Sequence, residues 1–242
     1  MPQRRATRPP DPQVVAARMT ELVREGLPDT RSHLSVTAQI QRLGVPAVLG
    51  LTDSLGEPRS DRTVRRWRQE NRIPDERIAT VVARADQVGR RGGVEAAADA
   101  FGVAAAAVTS WLADPDEELD EPAQQQVETH DRVERRTAAG LAVKQDGRLA
   151  RRPRLFVEGD VWVKGDTDSD TYRAHRRVGF GDAVLLNDET AEAVLDACDR
   201  GDSAAALRAI EAYLSEYHAG CAGYGDDLGW HFEDLDAFRL EW

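Results

Sequence analysis

The spacing of apolar positions divides the chain into a helical first half and a later part that contains strands. From Ser32 to Leu43, and again from Asp75 to Val88, the pattern predicts helices, the second carrying Ile78, Val81, Val82 and Ala85 on one face. Between them Pro46 can open a further helix, with Val48, Leu49 and Leu55 apolar. Gly56 begins a turn, and Ser60 or Asp61 can cap the next helix. That helix runs to about Asn71, because Pro74 prevents much continuation. The run Gly93–Ala113 repeats this plan. Ala98 is small where two helices would cross, Gly102 sits at the turn, and Val108 lies inside the second helix. Phe101, Val103 and Trp111 complete a core. Val64-x-x-Trp67 corresponds to Val108-x-x-Trp111 at a distance of 44 residues. These spacings fit a tandem pair of helix-turn-helix units, whereas plain helical hairpins would share the packing but not the fixed spacing.

From Arg154 the period changes to that of strands. Leu155, Phe156, Val157, Val161, Trp162 and Val163 predict one strand with a break near Gly159, and Tyr172 to Leu186 includes the return strand. Asn187 or Asp188 can cap a helix through Cys198 that stops at Gly201. Asp202 starts another with Leu207, Ile210, Leu214 and Tyr217 at helical spacing, and Trp230 to Trp242 alternates as a final strand. The expected fold is mixed α and α+β: a mainly helical N-terminal half with tandem helix-turn-helix units, then a small ββααβ domain. The expected organisation is a basic arm and leading helix (1–30), a first unit (31–73), a second unit (74–113), an acidic extended linker (114–126), a basic spacer (127–153) and an acidic domain (154–242).

Charge sharpens that division. Residues 1–113 hold 17 Lys+Arg against 13 Asp+Glu, and residues 114–242 hold 15 against 30, so the net −11 arises in the second half. With a screening length of about 8–10 Å, distant acidic residues barely oppose a local basic patch. The two cysteines, Cys198 and Cys221, cannot form a disulfide framework. The opening MPQRRATRPPDP does not read as a signal peptide, and no run of 18 apolar residues predicts a membrane span. A cytoplasmic, nucleoid-associated protein is expected.

The candidate chemistry is nucleic-acid contact. On the predicted helix of the first unit Arg62, Arg65, Arg66 and Gln69 share an arc of about 100° opposite Val64 and Trp67. Guanidinium forks match guanine O6/N7 and phosphate, and a Gln amide matches adenine N6/N7; the alternative is a solvated basic face. Arg59 and Thr63 extend this set. In the second unit the equivalent positions are Ala106, Thr109, Ser110 and Ala113, so Thr109 and Ser110 are its only polar candidates. Arg4, Arg5 and Arg8 read as a disordered tail or as a minor-groove arm. No catalytic set is recognisable, and neither metal nor cofactor is expected. Asp166, Asp168 and Asp170 fail as a calcium loop because Thr171 and Arg177 stand where Gly and Glu are needed, and His218 and Cys221 lack a second ligand pair.

Several segments together resemble the terminal proteins of linear actinobacterial chromosomes and plasmids. They are Gly93–Ala113, Arg136-Thr-Ala-Ala-Gly-Leu141, Leu195-Asp-Ala197, Leu214-Ser-Glu-Tyr217 and Phe232-Glu-Asp-Leu-Asp-Ala-Phe-Arg-Leu-Glu241, within residues 78–242. The resemblance implies binding to telomeric DNA and covalent attachment to its 5′ ends through a threonine hydroxyl that primes synthesis. Thr137 is the threonine in the corresponding basic segment, with Arg135 and Arg136 as its phosphate contacts. The polymerase would supply the catalysis, so the chain itself is not expected to be an enzyme, and its partners would be DNA and a DNA polymerase or telomere-associated protein. The alternative is a helix-turn-helix transcriptional regulator whose C-terminal domain dimerises or senses a ligand.

Overall fold

A computed structural model of the protein describes residues 12–164, 172–217 and 229–242. The Asp triplet at 166–170, the His218/Cys221 pair and the N-terminal arginines lie outside these residues. The chain forms two compact units, Thr30–Arg148 and a second made of the N-terminal segment to Asp29 with Leu149–Trp242.

The first of these is helical. A short 3-10 turn (Ser32–Leu34) leads into α2 (Val36–Leu43), followed by α3 (Val45–Ser54), α4 (Asp61–Glu70), α5 (Glu76–Arg90), α6 (Val94–Phe101), α7 (Ala105–Ala113) and α8 (Glu121–Ala138); the preceding helix, α1 (Pro12–Gly26), belongs to the other unit. α2, α3 and α4 pack together and are closed by α5. α5, α6 and α7 pack together in the same order and are closed by α8. Thus α5 both ends one group and begins the next. The first group buries Ile40, Val48, Val64, Trp67, Ile73, Ile78 and Val82, and the second buries Val88, Ala97, Ala98, Phe101, Val108, Trp111, Leu119 and Val127. The apolar pair α6–α7 is bent by 109° at Gly102, which adopts φ +71°. No single helix among the described residues is long and apolar enough to cross a membrane.

Charged residues fasten these groups. Asp86, on the inner face of α5, is 1% exposed and accepts a fork from Arg42 of α2, Nε and Nη2 each at 2.7 Å. Arg90 Nε donates to Asp86 at 3.1 Å and its Nη2 to Asp131 of α8 at 3.0 Å, while Gln87 also reaches Asp131. A buried carboxylate is tolerated when it is paired and hydrogen-bonded in this way.

The extended linker expected over 114–126 is not what the structure contains. Arg84 donates to the carbonyls of Trp111 (2.7 Å), Asp114 (2.8 Å) and Glu117 (2.8 Å), holding the acidic stretch in a turn. Leu119 is buried, and Asp120 accepts from Ala123 N as the cap of α8. Capping outweighs like-charge repulsion here because the acidic residues sit at a helix N-terminus, where negative charge is favoured. The basic spacer is likewise structured: α8 occupies it to Ala138, and Lys144 N bonds Arg148 O across a tight turn.

Among its described residues the second unit has a four-stranded antiparallel sheet and three helices. β1 (Arg154–Lys164) pairs with β4 (Gly229–Glu241) along its length, and with β2 (Tyr172–Val178) and the short β3 (Val184–Leu185). α9 (Asp188–Arg200), capped by Asn187 and stopped by Gly201 at φ +72°, and α10 (Ser203–Tyr217) connect β3 to β4. The break expected near Gly159 is a bulge instead. β1 runs through it while the register with β4 shifts between Glu158 and Gly159, where a Cβ would overlap the Asp234 carbonyl. α1 (Pro12–Gly26) packs on β4 and α10, with Met19 and Val23 in the sheet core.

Candidate nucleic-acid interface

The α4 helix is fixed on both ends and on its back. Ser60 caps it by accepting from Thr63 N at 3.2 Å, a contact typically worth about 1 kcal/mol. Asn71 ends it in the left-handed region at φ 51°, where a short polar side chain is tolerated. Asn71 Oδ1 then accepts from Thr37 N at 2.9 Å, and Thr37 Oγ1 donates to Arg68 O at 2.7 Å, which ties the end of α4 to the start of α2. Val64 (0% exposed) and Trp67 (2% exposed) anchor the back. Losing such a Trp costs about 3–5 kcal/mol, so the outward face is held in place by the core.

That outward face carries Arg62, Arg65, Arg66 and Gln69, all exposed. The arginines differ in what they touch. Arg65 forks onto Asp61, Nε at 2.5 Å and Nη2 at 3.3 Å, and this hydrogen bond raises its already high pKa. Arg66 Nε lies 4.0 Å from Glu70. Arg59 in the preceding turn pairs with Glu57 at 2.5 Å and Asp75 at 3.5 Å. Asp75 in turn caps α5; the Ile78 amide, chief among several donors and cations, holds its pKa below the ordinary carboxylate value. Among the described residues, Arg62 and Gln69 make no side-chain hydrogen bond or ion pair.

The remaining candidates fall in other settings. Thr63 is half-buried, and its hydroxyl meets that of Ser60 at 2.9 Å, so it serves the cap. In α7 Thr109 and Ser110 are exposed, and Thr109 donates back to Ala105 O at 2.9 Å. Thr137 is exposed on the last turn of α8, so a helix carries it within the stretch expected as a basic spacer. Arg136 corrects the expectation of a phosphate contact: it is 0% exposed, and its Nη1 donates to Gly147 O at 2.8 Å. A guanidinium enclosed in this way closes the turn after α8 and presents no donors to a ligand. Arg135 is half-buried.

The partners Asp61 and Glu70 were open to discovery from sequence, since each stands four residues from its arginine on one helix face. Asp75 beside Arg59 had no such local signal. Among the described residues no group of three His, Cys, Asp or Glu side chains is placed to hold a metal ion. Comparison with protein-family models, curated proteins and solved structures found no match to this chain, so a functional reading rests on the residues themselves.

Proposed function

We propose that this chain binds duplex DNA through α4. In this reading α3–α4 and α6–α7 are tandem helix-turn-helix units, and the first enters the major groove. The observation that carries it is the α4 face, with Arg62, Arg65, Arg66 and Gln69 outward and Val64 and Trp67 buried behind them. Four long donor side chains on a rigid ten-residue helix suit base edges and phosphates. The α7 face, with two hydroxyls and two methyls, lacks comparable donors, so α4 should dominate affinity. Arg65→Ala and Arg66→Ala should each lower the slope of log affinity against log salt by about one unit if each contacts a phosphate. Titration of labelled duplex at several salt concentrations measures this; slopes equal to the parent's would remove α4 from the interface.

A second reading follows from the exposure of Thr137 together with the resemblance to terminal proteins. Its Oγ would attack the α-phosphorus of a deoxynucleoside triphosphate, losing the hydroxyl proton and displacing pyrophosphate, with catalysis supplied by a DNA polymerase and its metal ions. The test is incubation with a DNA polymerase, Mg²⁺ and labelled deoxynucleotide. Label that resists denaturation and disappears in Thr137→Val supports priming. No covalent label on any template leaves a DNA-binding regulator, in which the sheet unit dimerises or senses a ligand.

A further inference from the structure

We propose that Asp61 and Glu70 are internal competitors for the phosphate-contacting arginines of α4, and that they lower its affinity for DNA of arbitrary sequence. The proposal rests on the DNA-binding reading and concerns how the same face is regulated. Arg65 has Nε and Nη2 on Asp61, so the fork that fits a phosphate is already filled by a carboxylate. Glu70 stands at the other end of the helix beside Arg66. Arg62 and Gln69, lying between these pairs along the same face, have no such partner among the described residues and are free to meet base edges.

Both pairs are exposed, with all four side chains at least 55% accessible, so each contributes little to folding and opens readily. A phosphate must displace the carboxylate and tolerate its charge nearby. A non-specific duplex offers no base contacts to offset this, whereas a matched site adds those of Arg62 and Gln69. The second helix of the repeat agrees in part with this division. At the 44-residue spacing Asp61 and Arg65 become Ala105 and Thr109, so carboxylate and guanidinium disappear together. Glu70 corresponds to Asp114, which ends α7 with Ser110 where Arg66 stands in α4, and the arginine that meets Asp114 is Arg84 of α5, on its main-chain carbonyl.

The test uses the full chain and a mixed-sequence 20-base-pair duplex at low salt, with Asp61→Asn, Glu70→Gln and the double variant. Each single variant should bind about two- to fivefold more tightly, and the double should combine the two effects. Thermal melts establish that the variants are folded, and Glu70→Gln, away from the helix start, keeps the test valid if Asp61→Asn weakens α4. Unchanged or weaker binding by folded variants, with Arg65→Ala still weakening the parent, overturns the competition and leaves the DNA-binding reading standing. No binding by the parent or any variant overturns both.

Discussion

Glu211 shows how one residue can carry a pH dependence into the fold. It lies on α10 and accepts from Phe232 N of β4 at 2.8 Å. Burial raises its pKa above the ordinary carboxyl value, outweighing that hydrogen bond and the nearby His231 and Arg208. A raised native pKa gives stability that is present below the unfolded value of about 4.3 and is lost as pH rises through the native one. Glu211→Gln keeps an acceptor for the Phe232 amide and removes the buried charge. The variant should therefore gain stability relative to the parent between about pH 4 and pH 7. Urea midpoints at both pH values measure this, and a variant that loses ground as pH rises contradicts it. Residue roles were legible where a local rule governed them. Ser60, Asn187 and Gly201 stand at the helix ends that their chemistry favours. Arg136 was not legible, because a basic residue in a basic stretch reads as solvated until its helix turns it toward Gly147.

Among the elements, the helices α2 to α7 of the Thr30–Arg148 unit were the most legible, whereas α8 was not expected from the sequence. Their apolar residues recur at helical spacing, and the turns between them carry Gly56, Gly102 and Pro74. The front of α4 could be read from the same wheel, since Val64 and Trp67 had to face inward. The acidic stretch before α8 misled for a physical reason. Composition registers repulsion among its carboxylates, but not the three carbonyls that Arg84 gathers from 27 to 33 residues away. Asp86 was invisible in the same manner. A lone acid within an apolar pattern gives no sign that Arg42, 44 residues away, will meet it. Both cases are long-range satisfaction of charge, which periodicity does not encode. They also explain how α5 can serve two groups of helices: its apolar face supplies both cores, and its polar residues tie α2 on one side and α8 on the other.

For the molecule as a whole, sequence order is a poor guide to which parts fold together. The first described element is α1, yet α1 completes the unit built mainly from Leu149–Trp242, and the helical unit falls between the two segments in sequence. The sequence placed this helix with the N-terminal arm because amphipathicity shows that a face is buried without showing against what. The structure supplies the surface. Met19 and Val23 enter the sheet core, and Gly26 lies so close to Phe238 that a Cβ would come within 2.6 Å of its ring and its carbonyl. The two assignments differ in consequence. If α1 serves the sheet unit, Met19→Ala opens a gap in that core and should cost about 2–5 kcal/mol. On the proposed DNA-binding reading, in which α4 carries affinity for mixed-sequence duplex at low salt, that affinity should stay at the parent's value. If α1 instead belonged with a DNA-contacting arm, the variant would lose affinity and keep its stability. Denaturant midpoints and duplex titrations on the same preparation separate the two, because the assignments predict opposite patterns in the paired measurements.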